Sequence, residues 1–143
     1  MQKPSRIKLF FINMVFWTWC LPQTLTGLAI YLYIKGSGRL REKSRFKNVC
    51  LVKSDNLLLI GGISLGKFII VSDRIFEKNI ILHEYGHTIQ GYMLGPIYLL
   101  VIGIPSLFLS IISRFSPTVS NNYFRYFPER WADKLGGNSK VRF

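Results

Sequence analysis

The sequence predicts a mainly α-helical, membrane-inserted fold in which two broken apolar helical segments flank a small antiparallel β element and a helix, with a short helix after them. Three observations predict it. Residues 9–34 carry no charged side chain, and neither do residues 93–112. Roughly 20 such residues are enough to cross a hydrocarbon core as a helix. Between the two runs the pattern shortens to brief apolar stretches separated by Ser54-Asp55-Asn56 and Gly61-Gly62, which reads as strands and turns. The 143 residues suit one domain, 1–143.

Taken in chain order, the first run is LFFINMVFWTWCLPQTLTGLAIYLYI, with Pro22 near its middle. Proline removes a backbone donor there, so the run reads as a kinked span or as two half-helices that turn back. Lys3, Arg6 and Lys8 precede it, and a longer basic loop from Lys35 to Lys47 follows. By the positive-inside tendency that loop belongs on the cytoplasmic side. The run is too long for a signal peptide and lacks a small-x-small cleavage site. Residues 48–72 form the small β element, with strands at Asn48–Lys53, Leu57–Ile60 and Lys67–Ser72. A helix over 74–95 follows, stopped by Gly95-Pro96. The second run, MLGPIYLLVIGIPSLFLSII, is interrupted by Gly103 and Pro105. A short helix over 128–135 lies between Pro128 and Gly136-Gly137.

Composition excludes several classes. A net charge of +12 stands beside 49% hydrophobic and 15% aromatic residues, which is too apolar for a disordered basic tail. Two isolated cysteines make no disulfide framework. Most of the basic residues rim the apolar runs. That placement fits anionic lipid headgroups and excludes a phosphate track for nucleic acid.

The chemistry is concentrated in His83-Glu84-Tyr85-Gly86-His87, an HExxH pattern that uses both histidines of the chain. Residues four apart share a helix face, so both imidazoles can reach one Zn²⁺. Glu84, about 100° around the helix, is aimed at a water and not at the ion. Zinc needs at least one more protein ligand. After His87 the only acids are Glu129 and Asp133. They share a face of the 128–135 helix, so one carboxylate can bind the metal while the other accepts the spare N–H of a ligating histidine.

HExxH followed by Glu129-x-x-Ala132-Asp133 resembles the gluzincin metallopeptidases, in particular the membrane-bound HtpX-like and CAAX prenyl protease-like branch. Residues 66–137 follow that order as GKFIIVSD, HEYGH and PERWADKLGG. The resemblance implies a minimal zincin core with one Zn²⁺. It makes His83, His87 and Glu129 ligands, Glu84 the general base, and Asp133 the partner of a ligand histidine. Candidates for oxyanion or substrate contacts are Tyr123, Tyr126, Arg130 and Lys134. The chain also resembles small bacterial membrane proteins with an LPQ-containing first segment and HEYGH followed by LGP.

If Glu129 joins both histidines, residues 93–112 cannot cross a bilayer once, because the ligands would lie some 30 Å apart. Either the segment turns at Gly103-Ile104-Pro105 and re-enters, or the zinc lies within membrane depth; the favoured arrangement is two helical hairpins, or a kinked span over 9–34 plus one hairpin. The expected protein is integral to a bacterial cytoplasmic membrane, with its site at the cytoplasmic face. It cleaves peptides or membrane proteins near that surface, holding the substrate along an edge strand formed by Lys67, Phe68, Ile69, Ile70, Val71 and Ser72. The competing reading is a non-catalytic zinc-binding membrane protein that serves as a partner or regulatory subunit.

Overall fold

The computed structural model describes residues 5–55, 61–75 and 77–137. Strands Leu40–Phe46 (β1), Val49–Ser54 (β2), Gly62–Leu65 (β3) and Phe68–Ser72 (β4) form one sheet in the order β1-β2-β4-β3. Helices Arg6–Trp17 (α1) and Leu21–Gly36 (α2) precede the sheet, and Lys78–Leu94 (α3) follows it. The chain ends in Ile104–Ser113 (α4), Pro117–Asn122 (α5) and Glu129–Gly136 (α6).

β4 dictates the layering. All five of its residues are buried, and a strand covered on both faces has no polar side to show. Ile69 and Val71 pack with Val49, Leu51, Phe16 and Ile81, on the side of α1 and α3. Phe68 and Ile70 pack with Val52, Tyr31 and Ile34, on the side of α2. The sheet is thus sandwiched between helices, and the period-2 alternation of β2 and β4 sorts residues between two cores. α2 crosses the β3–β4 turn closely. A Cβ on Gly27 would lie 2.6 Å from the Leu65 carbonyl oxygen, and one on Gly66, whose φ is +56°, 2.2 Å from Thr24 Oγ1.

Several expectations are corrected. The β element is a mixed sheet: β2 and β4 run parallel, while β1–β2 and β3–β4 are antiparallel. β1 occupies much of what reads in sequence as a basic loop, because its charged side chains stand on an outer strand with only one neighbour. The expected strand at Leu57–Ile60 lies outside the described residues.

Among the described residues, no helix is long and apolar enough to cross a membrane. This overturns the membrane-inserted fold class. It also removes the placement as an integral protein of the bacterial cytoplasmic membrane, with the site at its cytoplasmic face. The first run divides into 12-residue α1 and 16-residue α2, about 18 and 24 Å long against a core of about 30 Å. The division falls at Thr18-Trp19-Cys20, and Pro22 sits harmlessly in the first turn of α2. The second run does not turn back at Gly103-Pro105. It bends at Gly95, whose φ is +56°, then passes through a π-turn at Leu99–Gly103 directly into α4. The wider turn absorbs the backbone bond that Pro105 cannot make.

α3 and α6 meet backbone to backbone. A Cβ on Gly86 would stand 1.9 Å from the Ala132 carbonyl oxygen, and one on Gly136 would stand 2.0 Å from that of Leu82. Neither obstacle is a flexible side-chain tip, so the helices themselves must part. Gly86→Ala should therefore lower stability by about 2 kcal/mol or more in thermal or denaturant unfolding, with Gly136→Ala acting in the same direction.

Candidate metal centre

α3 reaches the centre as an interior helix. His83, Glu84, Gly86, His87, Thr88, Gln90 and Gly91 are all buried. His83, His87 and Gln90 follow the three- and four-residue spacing of one helix face. Across the glycine contact, α6 supplies Glu129 and Asp133 from successive turns, both buried. A buried group of His83, His87 and Glu129 could hold a metal ion, since one ligand atom from each lies within 4.8 Å of the others.

The hydrogen bonds show why the group fits a cation. His83 Nδ1 lies 2.9 Å from Asp133 Oδ1, and His87 Nδ1 lies 2.7 Å from Gln90 Oε1. Both partners accept, so each Nδ1 carries the hydrogen. With both rings neutral, as metal ligation requires, each Nε2 lone pair would then face inward. The His83 and His87 Nε2 atoms lie 2.9 and 3.3 Å from the same oxygen, Glu129 Oε2. Three acceptors therefore converge with no hydrogen among them, and such an arrangement needs a positive charge. Without an ion that charge is a proton on His83: burial opposes it, but the bonds to Asp133 and Glu129 outweigh burial and push its pKa from 6.5 to about 10. Burial also opposes charge on Glu129, yet the bonds from His83 and His87 hold its carboxyl well below the usual range.

Glu84 is placed differently. It is buried, its Oε2 has no hydrogen-bond partner, and burial raises its pKa against the pull of His87 and His83. Gly62 of β3 makes room for it, because a Cβ there would stand 2.7 Å from Glu84 Oε1. The Ser64 Oγ and Thr88 Oγ1 hydroxyls, 2.8 Å apart, hold β3 against α3 at this level.

Searches of protein-family models, characterised proteins and solved structures find no match to this chain. The centre is read from its own chemistry.

Of the four oxyanion candidates, Tyr123 alone is half-buried and within reach of the Glu129 charge. Burial and then the Glu129 charge raise its pKa, so it stays a neutral donor. Tyr126, Arg130 and Lys134 are exposed. The substrate-strand assignment is corrected. β4 is hydrogen-bonded to β2 on one side and β3 on the other, and Lys67 lies in the β3–β4 turn. Among the described residues, the strand beside α3 with a free flank in the sheet is β3.

Two contributors escape the motif. Gln90 Nε2 donates to the Pro128 carbonyl at 3.0 Å while its oxygen accepts from His87, so one side chain ties α3 to the residue before Glu129. Its position three residues past His87 was a usable signal. Ser106 Oγ donates to Glu129 Oε1 at 2.5 Å, and nothing in its apolar surroundings marks it.

Removing an acceptor behind a ligand imidazole frees its tautomer. Asp133→Asn and Gln90→Ala should each weaken metal affinity about 10–100-fold in chelator competition. A raised histidine pKa gives stability that is complete below about 6.5 and vanishes as pH rises through about 10. Chelator-treated protein should accordingly melt lower above pH 10 than at pH 6, and His83→Asn should shrink that difference.

Proposed function

We propose that this chain is a zinc-dependent peptidase. The observation that carries the reading is Glu84. A buried carboxylate oxygen without a partner, beside three converging acceptors, has a use in hydrolysis and none in a purely structural site. Two imidazoles and one carboxylate make the donor set of an open catalytic zinc site. The HExxH and Glu-x-x-Ala-Asp spacing supports the same choice.

His83, His87 and Glu129 would hold the ion, which supplies a Lewis acid for the scissile carbonyl and an acidified water. The remaining work falls to the chain. Asp133 and Gln90 keep both Nδ1 atoms protonated and the ligand nitrogens free. Ser106 holds the second oxygen of Glu129. Glu84 takes a proton from the attacking water and passes it to the leaving nitrogen; water oxygen bonds to the carbonyl carbon as the C–N bond breaks. Its raised pKa suits a group that must both accept and return a proton. Tyr123, a neutral donor beside Glu129, is placed to bond the oxygen on which negative charge develops. An extended peptide would add along the outer flank of β3 near Gly62, in place of the internal β4.

Purified protein should carry about one zinc per chain by elemental analysis. Glu84→Gln should keep that zinc and lose cleavage of a quenched-fluorescent peptide library by a factor of about 10² or more. Zinc retained with no wild-type cleavage of any peptide would favour the non-catalytic reading. No zinc after reconstitution would remove both.

A further inference from the structure

The described helices leave apolar side chains on the surface in ordered stripes. On α1, Ile7, Phe10, Phe11, Met14 and Trp17 are exposed, at the spacing of one helix face. On α4 the stripe is Leu107, Phe108, Ile111 and Ile112, and it runs on to Phe115, which is 84% exposed. Scattered exposed apolar residues are ordinary, but aligned stripes on neighbouring elements mark an interaction surface.

The stripes are joined. Trp19, in the turn between α1 and α2, donates its indole N–H to the Tyr92 carbonyl at 3.2 Å. Its ring fills the place where a Cβ of Gly95 would stand. The two turns therefore touch, and exposed Met93 and Ile97 carry the apolar surface from one toward α4.

Charge selects the occupant. Residues 1–41 contain no acid, and neither do residues 85–128. The same segments carry Arg6, Lys8, Lys35, Arg39, Arg114 and Arg125 among their cations. A second copy of a chain with net charge +12 would bring like charge against like. A surface that offers hydrocarbon beneath a layer of phosphate matches both features.

We propose that α1 and α4 seat this protein peripherally on an anionic lipid surface, their apolar stripes at the headgroup boundary and their axes along it. α1 and α4, with 12 and 10 residues, are long enough to lie in such a boundary and too short to cross it. The seat is independent of the metal centre and of any hydrolysis.

Co-sedimentation with vesicles of phosphatidylcholine alone, or with about 30 mol% phosphatidylglycerol added, tests this. Partition onto the anionic vesicles should be at least about tenfold higher, and should fall as NaCl rises from about 0.05 to about 0.5 M. A blue shift of tryptophan emission should accompany binding, since Trp17 and Trp19 lie on the seat. Phe10→Ser/Phe11→Ser and Leu107→Ser/Phe108→Ser should each lower partition about tenfold with unchanged circular dichroism. Arg6→Gln/Lys8→Gln keeps every apolar side chain of the stripe and should lower partition on the anionic vesicles alone. Equal partition on both vesicle types, or none on either, would overturn the proposal. So would a stable dimer or a complex with an acidic protein that the same substitutions dissociate.

Discussion

The candidate metal centre depends on two helices touching without side chains between them. Gly86 and Gly136 let α3 and α6 approach until a carbonyl of each fills the place of a Cβ on the other. Only at that distance can Glu129 and Asp133, one turn apart on α6, reach opposite nitrogens of one imidazole, that of His83. A pair of ordinary side chains at the crossing would hold the axes about 8–10 Å apart and leave the carboxylates short of the rings.

The electrostatics follow from that approach. His83 is gripped through both nitrogens by acids, and His87 through one by an amide that is itself anchored to Pro128. Every hydrogen the rings can offer outward is used. Inward, both Nε2 atoms meet one oxygen of Glu129, while Glu84 Oε2 is buried without a partner. Side chains around the three candidate ligands thus set the orientation of both rings and leave Glu84 Oε2 unbonded.

How much of this the sequence shows varies with the kind of signal. His83, His87, Glu129 and Asp133 are legible because helical spacing is short-range geometry, and scarcity of acids leaves few choices. Gln90 is legible in principle, one turn beyond His87. Ser106 and Gly62 are not, because their roles arise from elements far apart in the chain. The apolar runs mislead for a physical reason. An uncharged stretch reports that side chains avoid water, not what excludes it, and here part of the first run covers a sheet. Phe16, Cys20, Tyr31 and Ile34 serve that purpose. β4 carried a warning against an edge position, since FIIV leaves neither face for solvent.

The bond from Gln90 to the Pro128 carbonyl bears on how an ion would be captured. His87 and Glu129 are 42 positions apart, and bringing such distant points together from a flexible chain carries a loop-closure entropy that grows with the logarithm of their separation. Here the glycine crossing and the Gln90 strut have already closed that loop. A metal arriving at this site is not asked to fold the protein around itself. Its affinity is drawn from the ligands alone, without the deduction that a disordered site would impose.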